Sequence, residues 1–251
     1  MLEAADAADV ALGFEDGDGN PATAVIARRG YTGWRLVVSG TPAHSSLVFS
    51  EGVGDGAAFE MARILDGFRR ALAGERYLTF NPGVVLAGTR VAYDEAHSAG
   101  DAFGKANVIS GHAVANGDLR TLTPEQLAGA KATMRDIVSN HLPGTSAEIR
   151  FSDGYPPMAP AEGNRRLLAL YDQASRDLGF GAVTAVDPGD AGAADISFAA
   201  GRVAMALDGL GLMGTGGHTV EETADLATLP SQAKRAALLM YRLREVELPG
   251  M

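Results

Sequence analysis

The sequence predicts an α/β protein carrying a smaller inserted α+β domain, and three observations lead there. Apolar residues make up 46% of the chain and charged residues 21%, enough for buried cores in a soluble protein. From Gly33 to Phe151 the apolar periodicity runs strand, helix, strand, strand, helix, strand, the βαββαβ order of a ferredoxin-like unit. On either side of that block, short apolar runs and helical patterns read as the two parts of one α/β layer.

Each element has a local signal. Asp9 to Phe14 is a short apolar run, and Glu15-Asp16-Gly17-Asp18-Gly19-Asn20-Pro21 is a strong turn. Ala24 to Ala27 resumes as a strand until Gly30. Gly33 to Gly40 alternates in part and reads as a strand. Gly56 to Ala73 places Ala57, Phe59, Met61, Ile64, Leu65, Phe68 and Leu72 on one broad helical face. Tyr77 to Ala87 and Asn107 to Leu119 read as strands. Thr123 and Pro124 open a helix that runs to about Asn140, and His141-Leu142-Pro143-Gly144 ends it. Ala147 to Phe151 closes the inserted domain. Helices follow over Asn164–Leu178, from Ala194 to Ala200, and over Ser231–Leu243, with strands at Val183–Val186 and Arg202–Leu207. The expected boundaries are 1–30, 31–153 and 154–251, with the first and last segments forming one domain.

Composition removes several function classes. The net charge is −10 and no run of Lys or Arg offers a groove for phosphates, so no nucleic-acid partner is expected. No apolar run reaches the length of a membrane span, and no membrane association is expected. The acidic opening Met1-Leu2-Glu3-Ala4-Ala5-Asp6 does not read as a signal peptide. A cytoplasmic location is expected, or a periplasmic one if a leader precedes this sequence. Cysteine is absent, so any metal must be held by His, Asp and Glu.

Few residues stand out for chemistry. His218 lies in Gly214-Thr215-Gly216-Gly217-His218-Thr219-Val220-Glu221-Glu222; it reads equally as a metal ligand or as a loop His beside Glu222. Glu15 lies at a strand end, where open α/β sheets present ligands, but the segment also reads as a solvated acidic turn. His44, in Ser39-Gly40-Thr41-Pro42-Ala43-His44-Ser45-Ser46, is flanked by small residues. It can polarise a carbonyl, or simply complete a turn. Asn107 and Arg120 flank one strand segment; Arg120 can grip a carboxylate or pair with Asp118. His97, His112 and His141 read as structural or exposed.

Together these pieces resemble the zinc-dependent aminoacylase, dipeptidase and glutamate carboxypeptidase family. The likeness rests on Gly40 to Ser46, Asn107 through Asp118-Leu119-Arg120, Gly192-Ala193-Ala194-Asp195, and Gly211-Leu212 through His218 to Glu222. It implies a two-zinc hydrolase that cleaves an amide or peptide bond beside a free carboxylate, in an N-acyl amino acid or small peptide. It makes Glu15 and His218 metal ligands, and Asn107 and Arg120 contacts of the substrate carboxylate. Gly192 lies in the pocket loop, which Asp195 anchors. The inserted domain becomes a dimerisation lid, whose His44 reaches the partner subunit's active site in a homodimer.

The resemblance also exposes gaps. The family's His-x-Asp motif, bridging Asp and catalytic Glu-Glu pair find no counterpart, because the one Glu-Glu, Glu221-Glu222, follows His218. Two ligands do not enclose a tetrahedral zinc. One expectation is therefore an incomplete zinc-peptidase α/β catalytic domain, a C-terminal portion inactive alone, whose strand Asp9–Phe14 lacks sheet neighbours. The other is a non-catalytic dimerisation or small-molecule-binding module derived from that family.

Overall fold

A computed structural model describes residues 2–245, which divide into two compact units: residues 2–30, 122–124 and 155–245, and residues 31–121 and 125–154. The first unit opens with helix α1 (Leu2–Asp6), strand β1 (Val10–Leu12) and the two-residue strand β2 (Thr23–Ala24). Between β1 and β2 the acidic segment is the expected turn: Asp18 Oδ1 accepts from the Asn20 amide at 3.1 Å and from the Thr23 hydroxyl at 2.5 Å.

The second unit contains β3 (Thr32–Gly40), α2 (Ala57–Leu72), β4 (Thr79–Gly88), β5 (Arg90–Asp94), β6 (Ala99–Phe103), β7 (His112–Arg120), α3 (Pro124–Ser139) and β8 (Thr145–Asp153). Four of its strands make an antiparallel sheet in the order β4-β7-β3-β8, so each helix-linked pair of strands is separated by a third strand. β5 and β6 pair only with each other. This hairpin interrupts the six-element order read from the sequence. The strand read over Asn107–Leu119 is shorter: it spans His112–Arg120, and Asn107 lies in a turn ahead of it.

Side-chain periodicity explains why the helices cover one sheet face. Ala57, Met61, Ile64, Phe68 and Leu72 recur every three or four residues on α2 and are buried. They pack with Met134 and Val138 of α3 and with Trp34, Leu36 and Val38, the alternate residues of β3. Phe59, expected on this face, is instead 54% exposed and stands against Phe49 with ring centroids 5.5 Å apart. Gly117 faces Trp34 across the strands; a Cβ there would lie 2.4 Å from the indole, so only glycine leaves room for the ring. Glu60, fully buried, is held by two hydrogen bonds from Arg63 at 2.8 and 2.7 Å and accepts a third from the Leu142 amide.

The first unit resumes with α4 (Glu162–Asp177), β9 (Thr184–Ala185), α5 (Ile196–Ala200), β10 (Met205–Leu207), β11 (Gly214–Thr215), β12 (Thr223–Ala224) and α6 (Leu229–Leu243). β1 and β10 pair in parallel, Val10 with Met205 through Leu12 with Leu207. The expectation of an unpartnered first strand is therefore corrected: the fully apolar run Met205-Ala206-Leu207 is buried and lies beside it. α4 packs on β10 and on α6. Buried Arg235 of α6 donates to the Pro21 carbonyl at 2.6 Å, tying that helix to the acidic turn. No helix among the described residues is long and apolar enough to cross a membrane.

Candidate functional site

Glu15, Gly192 and His218 belong to the first unit, and His44, Asn107 and Arg120 to the second. Glu15 is exposed just beyond β1; its amide donates to Asp208 Oδ1 at 3.4 Å and its carbonyl accepts from the Gly211 amide at 2.9 Å. The Tyr155 phenol stays protonated above its ordinary range. Its hydrogen bond to Asp195 is the main cause, reinforced by the Asp195 charge, by desolvation and by the charge of Glu15. Glu15, Tyr155 and Asp195 thus share one electrostatic neighbourhood. Tyr155 also packs against Phe198 of α5, with ring centroids 5.1 Å apart.

Beneath that neighbourhood lies a pair that sequence reading missed. Arg28 Nε donates to Asp208 Oδ2 at 2.9 Å, with both side chains buried. A second Arg28 nitrogen donates to the Gly192 carbonyl at 2.8 Å, while Asp208 Oδ1 also accepts from the Gly209 amide at 2.7 Å. One ion pair therefore fixes both the segment carrying Glu15 and the loop carrying Gly192. Gly13 is part of this arrangement, because a Cβ there would lie 2.2 Å from Asp208 Oδ1. Gly192 itself meets nothing within 4 Å of such a Cβ, so its side is open.

His218 sits on the exposed loop between β11 and β12 in the left-handed region, φ 64°, where His is tolerated better than bulkier residues. Its amide donates to Glu222 Oε2 at 3.3 Å. Among the described residues no three His, Asp or Glu side chains come together in a group that could hold a metal ion. Glu15 and His218 lack a third ligand here, so the residues present do not fit a two-metal centre on their own.

His44 ends the segment after β3 and caps a single 3-10 turn, Ser45–Leu47. Its Nδ1 accepts from the Ser46 amide at 3.3 Å and lies 2.9 Å from the Ser46 hydroxyl. A backbone N–H can only donate, so the neutral ring carries its proton on Nε2. The exposed imidazole thus presents an Nε2–H donor. Asn107 is close by: its carbonyl accepts from the Ser45 amide at 2.9 Å, and His44 forms a β-bridge with Val108.

Arg120 lies at the far end of β7. Its Nε donates to Asp118 at 2.9 Å, and its guanidinium stands over the Tyr31 ring at 5.2 Å. β7 alone spans on the order of 27 Å from His112 to Arg120 at about 3.4 Å per residue, and Asn107 lies in the turn ahead of its start. Of the other histidines, His97 pairs with Asp94 at 2.7 Å, His141 Nε2 accepts from the Ala147 amide at 3.3 Å, and His112 is exposed at the start of β7.

With this geometry in hand, comparison with known proteins gives the kinship. Residues 26–146 match the family model described as the peptidase dimerisation domain. That match agrees with the likeness read from the motifs. Among solved structures the chain is similar to the aminopeptidase PepT of Bacillus cereus, with 18% identity over 97% of this chain and 61% of that one, at a TM-score of 0.66. It is similar to a tripeptidase of Staphylococcus aureus, with 17% identity over 95% of this chain and 58% of that one, also at 0.66. It is similar to a dinuclear metal-binding peptidase of the M20 family from Bacillus subtilis, with 16% identity over 95% of this chain and 57% of that one, at 0.62. At such identities these likenesses show the fold. The chain spans about six-tenths of the length of these structures. No curated protein sequence matches it.

Proposed function

We propose that this chain supplies the dimerisation lid and part of the metal site of an amide or peptide hydrolase, one acting beside a free carboxylate on an N-acyl amino acid or short peptide. The observation that carries this reading is the dimerisation-domain match over residues 26–146. Residues 31–153 form the lid, ferredoxin-like with an added hairpin, inserted between catalytic segments 1–30 and 154–251. The lid builds a homodimer.

His44 uses its Nε2–H to polarise the scissile carbonyl of the partner subunit or to stabilise its oxyanion. Asn107 acts from the same end of the sheet. Arg120 sits too far from Asn107 for one carboxylate to meet both in one chain, so the two serve one substrate only if they come from different subunits. Gly192, with its open Cα, lines the pocket. Glu15 and His218 are ligands to zinc, two ions per complete site, and further ligands and a general base must be added before hydrolysis. No chemical step is assigned to the metal from these residues.

A second reading is a non-catalytic dimerisation or small-molecule-binding module, in keeping with Glu15 and His218 having no third His, Asp or Glu grouped with them among the described residues. The readings separate when further ligands are supplied. In a protein that completes the metal site, this chain predicts hydrolysis of N-acetyl amino acids or dipeptides, and His44→Ala predicts a fall in turnover with the fold kept. Unchanged turnover refutes the role of His44. No hydrolysis across the substrate panel, with metal bound, supports the module.

A further inference from the structure

The sheet of the second unit leaves its helix-free face open, and a cleft of about 870 Å³ lies on it, walled on one side by the β5–β6 hairpin through Tyr93 and Glu95. That volume is within the range of small-molecule pockets, about 300–1,000 Å³. Two charged rows cross its floor. In the first, Arg35 of β3 stands directly opposite Arg150 of β8 and opposite Asn116 of β7. Like charges facing each other across strands are unfavourable. Arg35 pairs with Glu95 of the hairpin turn at 3.1 Å and Arg150 with Glu148 of its own strand at 2.8 Å, and the Glu95 charge also acts on Arg150.

Arg35 Nε and Asn116 Oδ1 are buried and make no hydrogen bond with other described residues. Two residues further along the strands comes the second row, Ser152–Gly33–Asp118–Asn81. Gly33 keeps its centre low, and Asp118 offers the carboxylate oxygen that Arg120, bonded to Oδ2 at 2.9 Å, leaves open.

We propose that this face binds a short zwitterionic peptide, its carboxylate between Arg35 and Arg150 and its ammonium on Asp118. The rows are about 7 Å apart at about 3.4 Å per residue, which matches the reach of a dipeptide at roughly 3.3–3.6 Å per residue. The carboxylate would relieve the facing guanidiniums through charge-assisted bonds. The proposal does not depend on the metal site or on hydrolysis.

Trp34 reports on the site. It is the one tryptophan in the chain; its ring is buried on the opposite, helix-covered face of the sheet, and its indole N–H donates to the Asp118 carbonyl at 3.0 Å. The test is titration of the purified full chain with alanylalanine, followed by tryptophan emission and by calorimetry, with chelator present throughout. The expected result is saturable binding that falls at least tenfold in Arg150→Gln and in Asp118→Asn. N-acetylated and C-amidated alanylalanine should each bind at least tenfold more weakly. Arg150 is largely exposed, so its variant isolates the charge without disturbing the core. Absence of saturable binding overturns the proposal. So does binding that survives both substitutions, or that ignores both end-blocks. Because the chelator keeps metal out, a failure here leaves the hydrolase reading to its own test.

Discussion

Asp208 is the residue on which the arrangement of the first unit turns. It is fully buried and holds Arg28, the Gly209 amide and the Glu15 amide at once. Removing one partner of a buried ion pair strands the other, at about 3–5 kcal/mol. Arg28→Met is therefore expected to lower stability by about that amount in urea denaturation, and to loosen the Gly192 loop, which hydrogen exchange at 189–194 would register as faster opening. Gly13→Ala is expected to be comparably damaging, because its methyl would collide with the Asp208 carboxylate. A melting temperature unchanged in Gly13→Ala would contradict this account of the strand end. Sequence reading found Glu15 and Gly192 yet missed the pair joining them. Arg28 and Asp208 are 180 residues apart, and nothing in either local pattern marks a partner. Asp208 follows a buried apolar run, so a charge ending that run is the one signal that could have drawn attention to it. Glu15 and His218 were visible because turns and glycines frame them, but that framing says nothing about whether a third ligand stands nearby.

At the scale of elements, the strongly periodic segments were the legible ones. α2 lies within a residue or two of where apolar spacing put it, and α3 within a residue or two of the limits set by Thr123-Pro124 and His141-Leu142-Pro143-Gly144. The β5–β6 hairpin was not legible: every residue of β6 is exposed, so Ala99-Gly100-Asp101-Ala102-Phe103 carries no in-and-out alternation. Asn107 was read into a strand for the opposite reason, since apolar Val108 and Ile109 continue toward β7 although the chain there bridges to His44. Two interactions give element-scale predictions. Arg63→Met would leave the buried Glu60 carboxylate without its two strongest hydrogen bonds, at an expected cost of about 3–5 kcal/mol by chemical denaturation. A loss well below that range would show that the α3–β8 turn satisfies Glu60 by itself. The second concerns Asp153 of β8, whose carboxyl is held below its ordinary 3.8 chiefly by the Lys131 ammonium, with a further hydrogen bond from Thr32. A lowered folded value means stability that is fully present above the ordinary value and lost as pH falls through the folded one. Because the group is largely exposed, Asp153→Asn should cost less than about 1 kcal/mol at neutral pH. The difference from the parent chain should vanish in acid. A gap that persists in acid would assign the effect to packing.

At the scale of the whole molecule, the two units differ in how their strands pair. The second has a continuous core between one sheet face and two helices. Among the described residues the first pairs its strands two by two, β1 with β10, β2 with β9 and β11 with β12, with a single Val25–Asp208 bridge just beyond β2 and β10. The dimerisation-domain match over 26–146 makes self-association the property to expect of these residues, and Glu15 and His218, with no third His, Asp or Glu grouped beside them among the described residues, are not expected to hold zinc alone. Sequence motifs could show kinship because each is local. They could not show how the halves of a metal site assemble, since that depends on side chains brought together from distant segments. Native mass spectrometry of the purified chain, exchanged into buffer with excess zinc and then desalted, tests both parts in one measurement. The account predicts a dimer at twice the 25.9 kDa chain mass, holding no zinc after desalting. A monomer, or a chain retaining two zinc ions, would contradict it.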